Sequence, residues 1–262
     1  NMINKYYNKN GYFVKKFSNI KLINNIEKII KKHFYKSTDY YSKIPLKNFH
    51  KITLNCQNEL NKINIQKFFR ESEKKFLDKE FKEELLFSSF VTLRAVRPVK
   101  NSKDLKEPLD WHRETFYGKK KHIKYAINFW MPVLNYSKKI GLSVIPESHK
   151  IPDKKIIRDY IENTHKVRKF SPSHKLGFPY APKRLISGVN FDNAKKVTLP
   201  KKNFMIFSQY LIHGNGQNFS KKIRFAVNFS FVPSSKVFEN KIINNKKYNY
   251  QKAKTNTLYI SF

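Results

Sequence analysis

The sequence is poor in several residue types on which whole protein classes depend. Cys56 is its single cysteine, so neither a disulfide framework nor a thiolate metal site can be built, and a reducing cytoplasm suits it. Seven glycines in 262 residues exclude a glycine-rich scaffold. No run approaches the roughly 18 apolar residues of a membrane helix, and no apolar signal core opens the chain, so no membrane insertion is expected. Acidic residues are also scarce. Asp and Glu total 19 against 54 Lys and Arg, a formal charge of +35, which admits anionic partners such as nucleic acid, a phosphorylated metabolite or an acidic membrane surface. The abundance of Asn, Ile, Tyr, Phe and Lys is also what A/T-biased coding would produce with no binding role. The basic residues do not gather on one amphipathic helix, and no zinc-finger, helix-turn-helix or RNA-recognition signature is present. Nucleic acid is therefore an admissible partner, not the favoured one.

Aromatic residues are plentiful, with 23 Phe and 15 Tyr, as a packed β-rich interior requires and a disordered chain does not. The length suits one domain: a mainly helical part at 11–89, a β core at 90–233 with an insertion at 150–190, and an extension at 234–262. The predicted class is mainly β with flanking helices. Gly11 to Phe17 reads as a strand. Ile20, Ile23, Ile26, Ile29 and Ile30 then recur at helical spacing, with Ser18 as N-cap. Residues 38–54 read as loop with short helical turns, and 59–87 as an amphipathic helical region. Strands are expected at 90–99, 125–133 and 142–146. Ile156, Ile157, Tyr160 and Ile161 suggest a helix inside the insertion, which could cover a site. The stretch 203–212 reads as a buried strand whose hairpin partner is 223–231, with Gly214, Gly216 and Asn218 in the turn. A basic turn at 119–122, a charged loop at 100–109, and a polar crossing with a short closing strand at 257–262 complete the pattern.

Two stretches carry chemistry. In Trp111-His112-Arg113-Glu114, strand alternation would point His112 and Glu114 the same way and Arg113 the other. A distant histidine, His213, would complete two imidazoles and a carboxylate on one side of a metal, the arrangement diagnostic of non-haem Fe(II) oxygenases. Arg224 lies among Ile223, Phe225, Ala226 and Val227, and a buried guanidinium calls for an anion. Asn128 is a polar amide on an apolar strand and must find partners. Arg94, Arg97 and Lys119 are weaker candidates for contacts to an anionic substrate.

The run Leu211-Ile212-His213-Gly214-Asn215-Gly216-Gln217-Asn218, with Arg224 eleven residues after His213, resembles the distal histidine and 2-oxoglutarate-binding arginine of the phytanoyl-CoA dioxygenase family. Gly141-Leu142-Ser143-Val144-Ile145-Pro146-Glu147-Ser148-His149 is similar to that family's Gly-x-Leu-x-x-x-Pro-Gly-Ser-His segment, with Glu147 in the place of glycine. Gly11-Tyr12-Phe13-Val14 looks like its beginning. The resemblance spans residues 11 to 233. It implies a double-stranded β-helix, the jelly-roll or cupin-like barrel, with N-terminal helices packed on it. It also implies Fe(II) held by His112, Glu114 and His213, 2-oxoglutarate as cosubstrate bound by Arg224, Asn128 and Asn215, and O2-dependent hydroxylation of a small molecule. His149 would be structural. The family's usual carboxylate is aspartate, so Glu114 is a departure, and its presence argues against a halogenase. Desaturation, epimerisation and ring formation stay open beside hydroxylation. A metal-free binding module and a nucleic-acid-modifying enzyme on the same barrel are the alternative readings.

Overall fold

The computed structural model describes residues 7–98, 111–116, 125–136, 141–160, 167–168, 170–178, 183–200, 202–215, 218–238 and 259–260. The basic turn at 119–122, with Lys119, lies outside the described residues. So do the loop at 100–109, Gly216 and the crossing at 239–258. In chain order the elements are β1 (Tyr12–Lys16), α1 (Ile20–His33), α2 (Thr38–Lys43), α3 (Leu46–Leu60), α4 (Ile65–Ser72), α5 (Lys74–Phe81), β2 (Leu85–Ser88), β3 (Thr92–Val96), β4 (Ile127–Leu134), β5 (Leu142–Ile145), β6 (Ile157–Tyr160), α6 (Pro172–Lys175), β7 (Lys183–Ser187), β8 (Lys195–Val197), β9 (Asn203–Ser208), β10 (Ile212–Asn215), β11 (Arg224–Pro233), α7 (Ser234–Phe238) and β12 (Tyr259–Ile260).

The strands form antiparallel sheets flanked by helices. A large sheet of seven strands has the order β1-β9-β4-β11-β2-β12, with β3 also on β11. A small sheet has the order β10-β5-β8, and β6 pairs with β7 in a separate ribbon. Among the described residues the pairings do not close the two sheets into one ring. The large sheet sorts its side chains by face. Leu93, Ala95, Phe129, Met131, Phe204, Ile206, Phe225, Val227 and Phe229 join a core with the helices, to which Ile23, Ile26, Ile30, Phe49, Leu60 and Phe69 contribute. Trp130, Met205, Phe207 and Ala226, on the other face, pack with Leu142, Val144 and Val197 of the small sheet. This alternation at period two makes the aromatic content useful. Phe69 alone meets Phe17, Phe87, Phe129, Phe204 and Phe229 at 4.7–6.3 Å between ring centroids, and Phe129 stacks on Phe229 at 4.3 Å.

Several local expectations are corrected. The N-cap of α1 is Asn19, whose side chain accepts from Leu22 N. Ser18 instead donates its hydroxyl to the buried Glu73 at 2.8 Å, the carboxylate that also takes Lys15. Residues 38–54 hold α2 and most of α3, broken only at extended Ile44 and Pro45, because Phe49, His50, Thr53, Cys56, Gln57 and Leu60 form a continuous buried stripe on α3. The helical region ends at Phe81, and Leu85 to Phe87 pair with β11 as a strand. Ile157 to Tyr160 form a strand paired with β7 and not a helix. The chain turns at Ser208–Leu211, so β9 pairs with β1 and β4 while β10 crosses to β5. Consequently 203–212 is not one strand, and its expected hairpin with 223–231 is replaced by β4 standing between β9 and β11. Such long-range pairing leaves no local signal.

α3 and its following turn also hold the edge of β3. Asn61 accepts from Val91 N at 2.6 Å and Gln57 accepts from Leu93 N at 3.0 Å, satisfying backbone donors that an edge strand would otherwise expose. Cys56 on α3 is fully buried. Burial, with the charge of Glu59 nearby, pushes its thiol up to about 12. The folded protein should thus resist a disulfide-exchange reagent near pH 8, where an ordinary thiol of pKa about 8.5 reacts. One equivalent should react on unfolding, and prompt reaction of the native protein would contradict this burial.

Candidate metal centre

His112 and His213 are joined by backbone before any metal is considered. His112 N donates to His213 O at 2.9 Å and His213 N to His112 O at 2.8 Å, an isolated antiparallel bridge that extends the small sheet beyond β10. The chain then leaves extended geometry, since Glu114 opens a 3-10 turn to Phe116 and its N–H donates to Gln209 O at 3.1 Å. The pairing of His112 with Glu114 therefore comes from a bridge followed by a turn, and the expected strand alternation is not the cause. The result is a compact group in which ligand atoms of His112, Glu114 and His213 lie within 4.8 Å of one another. Glu114 Oε1 is 3.5 Å from His213 Nε2 and 4.0 Å from His112 Nε2. Both histidines are buried, and Glu114 is partly exposed.

The ring orientation of His213 follows from its partner. Nδ1 lies 2.9 Å from Leu211 O, and a carbonyl only accepts, so Nδ1 carries a proton and Nε2 is the nitrogen set against Glu114. An imidazole nitrogen and a carboxylate oxygen at such a distance need a proton or a cation between them, and outer hydrogen bonds of this kind are how metal-binding imidazoles are oriented. Burial pushes the Glu114 carboxyl up. The hydrogen bond from His213 and the charges of His112, His213 and Arg94 outweigh it and bring the group down to about 2. The carboxylate is thus available as an anionic ligand.

Ser148 ties the two halves together. Its carbonyl accepts from Arg113 Nη2 at 2.7 Å, and its hydroxyl accepts at 2.8 Å from the N–H of Ile212, the neighbour of His213. Arg113, fully buried between the two ligands in sequence, also donates to Ile151 O and to Asp153 at 2.8 Å. Its hydrogen-bond partners thus all lie in the 148–153 segment. Glu147, just before Ser148, has φ of 66°, the left-handed region that glycine occupies at little cost. That accounts physically for the glycine in the similar segment. Ser148→Ala should strand a buried N–H, costing about 1–3 kcal/mol of stability and, through His213, roughly 10–100-fold in metal affinity. Denaturant titration and Mn(II) titration measure the two, and unchanged metal affinity would show that the strut does not reach the ligands.

The remaining candidates divide. Arg224 is fully buried on β11, opposite Val96 of β3. Asn128 is buried on β4, accepts from Gln209 Nε2 at 2.7 Å, and keeps Nδ2 without a hydrogen-bond partner. Asn215 lies in β10 in register with Leu142. Arg97 is not at the site, because it donates to Ile44 O at 3.0 Å and lies over Phe49 on the helical side. His149 hydrogen-bonds Asn8 O at 3.0 Å and is absent from the metal group. Gln209 escaped sequence reading, although it holds Glu114 through its carbonyl and Asn128 through its amide. A polar residue closing an apolar run was its only signal.

No family model matches the chain, and no curated sequence matches it. Solved structures do. The fold is shared with non-haem and 2-oxoglutarate-dependent enzymes. EvdO2 from Micromonospora carbonacea var. aurantiaca, complexed with 2-oxoglutarate, superposes with a TM-score of 0.60 at 12% identity, covering 88% of this chain and 90% of that one. The non-haem monooxygenase ThoJ gives 0.55 at 11%, covering 88% and 77%. SnoN, a non-haem α-ketoglutarate-dependent epimerase from nogalamycin biosynthesis, gives 0.51 at 10%, covering 88% and 81%. At these identities the likeness concerns the fold. Among the described residues no helix is long and apolar enough to cross a membrane.

Proposed function

We propose that this chain is a non-haem Fe(II)- and 2-oxoglutarate-dependent oxygenase that hydroxylates a small anionic molecule, in the phytanoyl-CoA dioxygenase-like group. The observation that carries the reading is His213 Nε2 set 3.5 Å from the Glu114 carboxylate, with His112 beside them. Two imidazole nitrogens and one carboxylate oxygen are the donor set expected for this iron, and the three residues present fit it. His112, Glu114 and His213 would hold the metal. Arg224 offers a planar fork matched to a carboxylate and would take the far end of 2-oxoglutarate. The Nδ2 donor of Asn128, oriented by Gln209, would meet an oxygen acceptor of the same ligand, and Asn215 is the third candidate contact. When bound, iron and 2-oxoglutarate supply the oxidising power, and the protein positions and shields it. The substrate class rests on the basic surplus of the chain, with nucleotide-linked sugars, acyl thioesters and phosphonates as the kinds of molecule that fit.

The test is 2-oxoglutarate-dependent succinate release from Fe(II)-loaded protein against pooled anionic metabolites. Stimulated release by one pool, lost in Glu114→Ala, is expected. No Fe(II)-dependent release with any pool, together with no 2-oxoglutarate binding, would overturn the reading.

A further inference from the structure

Two guanidinium groups share the inner face of the large sheet. β3 runs antiparallel to β11 with Val96 opposite Arg224 and Arg94 opposite Ala226. Their neighbours Leu93, Ala95, Phe225 and Val227 face the helices, so Arg94 and Arg224 occupy diagonal positions on the opposite face, the one that packs with the small sheet. Diagonal positions lie about 7–8 Å apart, within reach of long side chains. The charge of Arg94 reaches Glu114 of the metal group, and Arg94 is the more exposed of the two arginines.

Arg94 is also held in place. Nη1 donates to Leu176 O at 2.9 Å, and the guanidinium lies 5.6 Å from the Phe178 ring centroid. Between them Gly177 takes φ of 83°, and the chain passes so close that an added Cβ would sit 3.4 Å from Arg94 Nη2. The segment at 170–178 is itself fixed to α3. His50 Nδ1 meets Ser173 Oγ at 2.6 Å, the His50 ring stacks on Phe178 at 4.8 Å, and Gln57 Nε2 donates to Lys175 O. The helical layer thus orients the Arg94 guanidinium, whose charge reaches Glu114, through the insertion, and a pre-set guanidinium loses little freedom on taking up an oxyanion.

We propose that Arg94 anchors the substrate of this site, which therefore carries a carboxylate or phosphate close to the carbon that reacts. The proposal rests on the oxygenase reading. It is tested on Mn(II)-loaded protein saturated with 2-oxoglutarate, at ionic strength held constant with chloride. Inorganic phosphate is followed by 31P line broadening and labelled acetate by 13C broadening, since the paramagnetic ion broadens only anions that dwell near it. Saturable broadening of at least one anion is expected in the wild type. Arg94→Gln should weaken that binding about tenfold, the value of a charge-assisted hydrogen bond. Arg94→Lys should retain part of it, and Lys155→Ala, at an exposed position, all of it. Which anion responds tells phosphate-bearing from carboxylate-bearing substrates. Equal broadening in wild type and both Arg94 variants would assign the anion to the metal or another cation, and Arg94 would then merely staple the 170–178 segment to the sheet. Absence of broadening by either anion in the wild type would overturn the proposal as well. Should 2-oxoglutarate fail to bind the wild-type Fe(II) protein in an anaerobic titration, the failure lies in the underlying oxygenase reading and takes the proposal with it. Arg94→Lys and the wild-type arms keep the test decisive if Arg94→Gln does not fold.

Discussion

Replacing Arg224 by alanine should leave the metal in place while weakening 2-oxoglutarate binding by about 2–4 kcal/mol, the loss typical of truncating one partner of a buried charge pair. The residue is fully buried and outside the metal group, so the two effects separate. Burial matters to the magnitude, because a charge-assisted pair in a dry pocket is far stronger than one in water. Arg224→Lys should rescue only partly, since an ammonium supplies a point charge without the fork. The measurement is anaerobic titration of the Fe(II) protein with 2-oxoglutarate, followed by its metal-to-ligand absorption band. Equal affinity in wild type and Arg224→Ala would make Arg224 a structural residue and remove the cosubstrate pocket from β11.

His213→Ala should have the larger effect on the metal. Loss of an outer hydrogen-bonding partner typically costs roughly 10–100-fold in metal affinity, and loss of one of three protein ligands should exceed that range. The backbone bridge between residues 112 and 213 uses only main-chain atoms, so it survives the substitution. The fold should therefore persist, and the far-ultraviolet circular dichroism should change little. Titration with Mn(II) or Fe(II) reads the affinity. If the variant binds metal as tightly as wild type, His213 is not a ligand, and the cation expected between Nε2 and Glu114 has to be a proton.

The residues themselves determined a good deal. Period-two alternation located β3 and β4, and apolar runs located β5 and β11, to within a few residues, because buried strands concentrate apolar side chains in short runs or at that period. Five isoleucines at helical spacing located α1 for the same reason at another period. His112, Glu114 and His213 could be singled out as candidates because few residue types can ligate a metal and these three stand in recognisable local patterns. The absence of other cysteines had already removed thiolate sites. Asn19 against Ser18 as the N-cap could not be decided locally. Ser18 is chemically suited, but the distant Glu73 and Ser72 claim its hydroxyl.

Tertiary structure decided what depends on partners far along the chain. The 38–54 stretch looked irregular because its apolar residues are mixed with polar ones that pack only after the sheet is present. His50 is an example, buried through its contact with Ser173. The crossing of β10 to β5, the bridge between His112 and His213, and the Ser148 strut join segments separated by tens of residues. Hydrogen bonds of that kind have no local periodicity to betray them. The diagonal of Arg94 and Arg224 is of the same origin, since it exists only in the register of β3 against β11. Side-chain chemistry is written into the sequence residue by residue, but which groups face one another is set by long-range pairing, whose energy is gained only when the chain has folded.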